Sequence, residues 1–270
     1  MSLFKVFSTR AAGAALVAVT LGVVSGCSST SRDVSAQTPE KLYAAAKEDL
    51  AAGSWEQAIK ALERLEGRAA GTLLAQQVQL DLAWAQWKSG ERVQAVTTLD
   101  RFIKLHPSSP ALDYALYLKG LVNFNDSMGF LSGISRQNVS ERDQQASRDA
   151  FQAFQQLVEQ FPASRYAEDA RLRMDYIVNA LAEYEVHVAR YYYRRGAYVA
   201  AANRAQNAVR EFQRAPITEE ALYIMVVSYE RLGLKDLRDD AERVMKRSFP
   251  DSRYLREGLR RPDQAWWQFW

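Results

Sequence analysis

The chain has 270 residues, 48% of them hydrophobic and 25% charged, with 35 basic against 32 acidic side chains and a single cysteine. This is ordinary globular composition, and the length allows one extended domain or two small ones. One cysteine excludes an internal disulfide, and the near balance of charge gives no basic stripe of the kind a nucleic-acid partner selects.

Residues 1–26 form the first element. Lys5 and Arg10 precede a mostly apolar run from Ala11 to Val24, which Ser25, Gly26 and Cys27 close. A positive start, a short apolar run and small residues make a cleaved secretory signal, and the run is too short to span a bilayer. It resembles a bacterial lipoprotein signal, in which the cysteine becomes the first mature residue and its sulfur carries lipid. Ser28 follows Cys27 where an aspartate does not stand, which in such lipoproteins implies passage to the outer membrane. An ordinary signal that happens to end in cysteine is the other reading. Residues 27–38 are polar and read as a tether between lipid and fold.

From residue 39 onward the prolines and most glycines stand between helix-like segments, and no run alternates as a strand does. The expected fold is all-α. A glycine followed five residues later by alanine recurs at Gly53 and Ala58, Gly90 and Ala95, and Gly196 and Ala201. Ala46, Ala83 and Ala189 stand seven residues before those glycines. In a helical hairpin these small residues mark where backbones cross closely. Large residues follow on the second helix, at Leu62 and Leu65 and at Leu99 and Phe102. The spacing resembles the tetratricopeptide repeat, a helix-turn-helix unit of about 34 residues, and predicts a solenoid of five such repeats.

The first repeat runs from Pro39 to Arg68, with Thr38 as N-cap and Ser54 with Gln57 as a capping box; the second spans Thr72 to His106. In the third, Gly120 and Ala150 answer to the two small positions but stand thirty apart, so residues 126–140 read as an insertion between residues 39–125 and the C-terminal repeats at 141–254. The fourth has an overlong first helix. Ser164 to Arg195 contains neither glycine nor proline, which predicts one helix of about thirty residues, roughly 45 Å long, or two helices broken near Asn179. The fifth keeps Leu232-Gly233 and Phe249-Pro250 but has Arg238 where alanine is expected, and 255–270 form a tail. Stacked hairpins leave first helices lining a concave surface that binds peptides and partner domains.

Chemistry is scarce. The two histidines are His106, at a helix end where a cation suits the dipole, and His187, in a stripe with Tyr184, Val188, Tyr191 and Tyr192 that reads as packed. No metal, phosphate-loop or hydrolase motif occurs, so neither catalysis, cofactor nor metal is expected.

Three features taken together are more specific than the repeat. Phe161-Pro162-Ala163-Ser164-Arg165-Tyr166 matches Phe249-Pro250-Asp251-Ser252-Arg253-Tyr254, with a looser copy at His106-Pro107-Ser108-Ser109. The insertion closes with Glu141-Arg142-Asp143 before Ser147-Arg148-Asp149-Ala150-Phe151. The long helix ends Ala189-Arg190-Tyr191-Tyr192 and Arg195-Gly196-Ala197-Tyr198. This combination resembles the BamD family, lipoproteins of the β-barrel assembly machinery.

The resemblance implies a scaffold held to the outer membrane through acylated Cys27 and facing the periplasm. It implies docking of the C-terminal repeats on the last periplasmic (POTRA) domain of a BamA-like barrel subunit, attachment of accessory lipoproteins, and receipt of unfolded outer-membrane proteins by the N-terminal repeats. It places Arg195 nearest the barrel subunit, with Arg194 and Arg190 on the same helix end. Leu42, Tyr43, Trp55, Trp84 and Trp87 are the apolar and aromatic material for a client peptide, Trp55 being also in a packing position after Gly53. Another periplasmic tetratricopeptide lipoprotein, coordinating cell-wall or division proteins, is the rival. A helical-solenoid lytic transglycosylase needs a catalytic domain for which the residues beyond Pro250 leave no room. The run Ala265-Trp266-Trp267-Gln268-Phe269-Trp270 has no place in the family pattern and suits a partner or interface contact, or an unstructured tail.

Overall fold

The computed structural model describes residues 38–124 and 141–259. Among these every regular element is a helix: α1 Pro39–Ala51, α2 Trp55–Arg68, α3 Leu73–Lys88, α4 Arg92–Leu105, α5 Leu112–Asn123, α6 Glu141–Gln160, α7 Ala167–Arg194, α8 Tyr198–Glu211, α9 Thr218–Leu232, α10 Lys235–Ser248 and the short α11 Arg253–Glu257. Each helix from α1 to α9 packs on the next in sequence, and α11 packs back on α9. First helices also touch across hairpins, α3 on α5 and α7 on α9. First helices pack more closely on one another than second helices do, which curves the array with α3, α5, α7 and α9 on the inside. Cys27, the tether, the insertion at 126–140 and the aromatic run at 265–270 lie outside the described residues.

The small residues divide into two roles. Ala46, Ala58, Ala83, Ala95, Ala189 and Ala201 are fully buried where first and second helices cross, as expected. The glycines do something else. Gly53, Gly90, Gly196 and Gly233 have φ of 73°, 90°, 77° and 71°, the left-handed region where a Cβ is penalised. There each helix ends in the same hydrogen bond, from the residue after the glycine back to a carbonyl in the last turn: Ser54 to Asp49, Glu91 to Gln86, Ala197 to Tyr192 and Leu234 to Tyr229, at 2.8 to 3.0 Å. They are exposed turn residues rather than crossing points, which corrects that part of the sequence reading.

Capping differs from expectation in a similar way. Thr38 and Ser54 occupy the N-cap positions of α1 and α2, but neither side chain makes a cap bond, so the box with Gln57 is not formed. Ser54 sits at ψ 62°, away from the extended backbone that aims a hydroxyl at the first turn. Thr72, extended at ψ 164°, does cap α3, accepting from the Ala75 N–H at 3.3 Å.

The third hairpin closes without a side chain at Gly120. A Cβ there would lie 2.3 Å from the ring of Phe154, which is fully buried on α6 beside Ala150 and Leu157. The insertion therefore leaves the crossing intact. In the fourth, α7 is one unbroken helix of 28 residues, about 42 Å at 1.5 Å per residue. Its N-terminal half gives Ala170, Ile177 and Leu181 to the core of α5 and α6, and its C-terminal half gives Val186 and Ala189 to that of α8 and α9.

The far end is built differently. Counting from the turn glycines, Ala201, Ala202, Ala205 and Val209 of α8 correspond to Arg238, Asp239, Glu242 and Lys246 of α10. The three alanines are buried and Val209 packs with the α9 residues Leu222 and Met225, whereas Arg238 bonds to Asp239 and Lys246 pairs with Glu242 at 2.7 Å. A terminal repeat has no neighbour to cover it, and a polar outer face keeps it soluble.

Candidate interaction surfaces

On the inside of the first two hairpins the centre is Asp81, an acid not singled out from the sequence. Its carboxylate accepts from the Tyr43 hydroxyl at 2.6 Å, Lys47 Nζ at 3.3 Å and Gln77 Nε2 at 3.4 Å, joining α1 to α3. Burial, together with the bond to Asp81, pushes the Tyr43 phenol well above its ordinary value. One turn further, Trp84 and Trp87 meet edge to face at 5.2 Å, and the Lys88 ammonium lies 5.2 Å from each ring centroid. Both indoles are half-buried against Leu80, Ala83 and Leu118. Trp55 is half-buried at the α1–α2 turn and shares a shallow pocket with Lys88 and Ser89. The structure thus brings Trp55, Lys88 and the Trp84–Trp87 pair to one edge, and Tyr43 to the neighbouring acid.

At the other end the three arginines separate. Arg190 is spent: its guanidinium donates to Glu220 at 2.7 Å, and Glu220, buried on α9, also accepts from the Tyr254 hydroxyl at 3.0 Å. Arg194 and Arg195 are exposed at the α7–α8 turn, Arg195 lying 5.4 Å over the ring of Tyr191. Tyr191 is itself 51% exposed, and His187 is exposed too, so the expected packed stripe holds only on its Tyr184, Val188 and Tyr192 side. Residues 179, 183, 187, 191 and 195 follow at four-residue steps, which keeps them on one solvent-facing side of the helix.

The repeat boundaries carry a device whose physics spacing alone did not reveal. Ser109, Ser164 and Ser252 each accept from the N–H two residues on and donate to a first helix behind, to Gln76 at 2.8 Å, Asp113 at 2.7 Å and Glu219 at 2.5 Å. After the last two, Arg165 and Arg253 lie 4.8 and 4.9 Å over Tyr166 and Tyr254, and those rings stack on Tyr117 at 4.7 Å and Tyr223 at 5.7 Å. Burial and the nearby Tyr166 push the Tyr114 phenol up to about 12. Burial of Asp169 works to raise its carboxyl, but hydrogen bonds from Arg173 and Tyr117 hold it below the usual range.

Among the described residues no three side chains are grouped as metal ligands, and no helix is long and apolar enough to cross a membrane. What the fold and its surfaces define is a helical-repeat array of tetratricopeptide type, with an aromatic inner edge near one end and an arginine-rich turn near the other.

The chain belongs to the YfiO family of outer membrane lipoproteins, which matches residues 35–245. The outer membrane protein assembly factor BamD of Neisseria meningitidis serogroup B (strain ATCC BAA-335 / MC58) is 43% identical over 267 residues, 98% of this chain and 99% of its own. The Vibrio cholerae factor of the same name is 34% identical, covering 84% of this chain and 94% of its own, and the Haemophilus influenzae one 35%, covering 86% and 88%. Among solved structures the MamA protein is similar at 17% identity and a TM-score of 0.33, over 83% of this chain and 97% of that one.

Proposed function

We propose that the protein is a non-enzymatic lipoprotein of the outer-membrane β-barrel assembly machinery. Its relatives are named outer membrane protein assembly factors, and they match it over nearly its whole length. In this reading Cys27 carries the lipid, the C-terminal hairpins dock a BamA-like barrel subunit with its accessory lipoproteins, and the first two hairpins receive unfolded outer-membrane proteins. The observation that carries the docking reading is the α7–α8 turn, where Arg194 and Arg195 are exposed beside exposed Tyr191 while Arg190 is held by Glu220. Arginine with an aromatic neighbour is the composition of interface hot spots. The Lys88, Trp84 and Trp87 cluster supports the client reading, because half-buried indoles offer rigid apolar contact to an extended chain.

Arg195→Glu tests the docking. Because the exposed Arg195 guanidinium lies over an exposed tyrosine, the variant is expected to keep its melting temperature and lose most co-purification with the barrel subunit. Undiminished recovery by the folded variant moves the contact elsewhere. Cys27→Ala, exported through a conventional cleavable signal, is expected in the soluble periplasmic fraction, since acyl chains supply the hydrophobic anchor; membrane fractionation without the barrel subunit would refute that assignment.

A further inference from the structure

The three arginines at the end of α7 stand in three different settings. Arg190 is fixed by the carboxylate of Glu220, and its charge is used there. Arg194 shares a cleft with Glu257 and Arg253 of α11. Arg195 has no carboxylate beside it among the described residues, and its guanidinium lies 5.4 Å over the ring of Tyr191, one turn back on the same side of the helix. The distinction is chemical. A carboxylate fixes a guanidinium by neutralising it, whereas the face of a neutral ring attracts it through its quadrupole and leaves the charge and the N–H donors at its edge for another molecule.

The orientation of Arg195 is traceable to the core. Tyr192 is half-buried against Val186, Ala189 and Ile224, and Tyr191 meets Tyr192 edge to face at 5.8 Å. The Arg195 N–H donates to the carbonyls of Tyr191 and Tyr192 at 3.2 and 3.1 Å, so ring and backbone are set before the arginine side chain is placed. Tyr191 is exposed, and packing does not call for an aromatic ring there. An arginine free in solvent loses rotamer freedom when a partner fixes it, and one already held loses less. Resting on the docking reading above, we propose that Tyr191 is a positioning residue for the barrel subunit: its ring, set by Tyr192, holds the Arg195 guanidinium outward with its charge unspent.

The test is the dissociation constant of the full mature chain for the detergent-solubilised barrel subunit. Tyr191→Ala should weaken binding about five-fold, which is roughly 1 kcal/mol, and Tyr191→Phe, which keeps the ring face, should restore it. In an Arg195→Ala background Tyr191→Ala should change affinity less than about two-fold, because the ring then has no guanidinium to hold. In the unbound protein the Arg195 δ-methylene protons should resonate upfield under the ring, a shift kept in Tyr191→Phe and lost in Tyr191→Ala. Undiminished affinity in Arg195→Ala removes the docking reading and this inference with it. Where Arg195→Ala does weaken binding, the inference alone is overturned by an indifferent Tyr191→Ala, by an equal Tyr191→Ala loss in both backgrounds, by failure of Tyr191→Phe to restore affinity, or by the absence of the upfield shift.

Discussion

The first two hairpins and the last two hold their helices together by different means. In the first two, large side chains fill the crossings: Leu62, Leu65, Leu82, Leu99 and Phe102 are at most 2% exposed. Deep polar contacts there are mostly neutral, such as Thr98 to Gln86 at 2.9 Å. In the last two, Ala189, Ala201, Ala202, Ala205, Ala208 and Ala221 fill much of the crossings beside Val186, Ile224 and Met245, and the deep side-chain pairs are ionic. Arg204 grips both oxygens of buried Glu185 at 3.1 and 3.2 Å, and Arg190 holds Glu220. Alanine brings backbones close but buries little apolar area, so the fixed direction of a charged fork takes over part of the alignment. The N-terminal half relies more on side-chain volume, and the C-terminal half adds oriented charge to a core richer in alanine.

The largest expected effect falls where the halves join. Phe154 fills the space that Gly120 leaves, and α7 carries that core toward the C-terminal hairpins. Phe154→Ala is expected to cost about 3 to 5 kcal/mol, and a single denaturant transition would show that the halves remain coupled through α7. Two separated transitions would break the picture of one continuous array.

Charge removal sharpens the contrast. Glu220→Gln leaves Arg190 without its carboxylate at a site where the Glu220 side chain is 7% exposed, and should cost about 3 kcal/mol. Glu66→Gln in the N-terminal half removes a pair whose arginine, Arg101, is 48% exposed, and should cost under about 1 kcal/mol. Equal losses in chemical denaturation would erase the distinction. The smallest effect concerns caps: Thr72→Ala should cost about 1 kcal/mol, whereas Ser54→Ala, where no cap bond exists, should cost close to nothing. A cost at Ser54 matching that at Thr72 would restore the capping box that the backbone angle rules out.

Residue spacing carried most of the architecture. The alanine pairs, the interrupted third hairpin and the unbroken run that became α7 were legible because each is a local, periodic constraint on one helix. The glycines were found at the right places with the wrong role, since a small residue reads alike whether it admits a neighbour or permits a positive φ. Ser54 looked like a cap by type, and only the backbone angle denies it. Asp81 and Glu220 could not be found, because their partners Tyr43, Arg190 and Tyr254 lie 38, 30 and 34 residues away in other hairpins. For the same reason Arg190, Arg194 and Arg195 looked alike until the fold placed an acid beside one of them.

The charged flank of α10 has a consequence beyond its own hairpin. A stack of similar units is open at both ends, and an end lined like α8 with alanines and a valine would accept the first hairpin of another molecule, which in turn would offer its own end. Chains would thread into filaments. Arg238, Asp239, Glu242 and Lys246 oppose the first such addition, because joining there strips water from two exposed ion pairs, Arg238 with Asp239 and Lys246 with Glu242, whose desolvation their mutual attraction does not fully offset. These two exposed ion pairs thus disfavour end-to-end joining of copies through the outer face of α10.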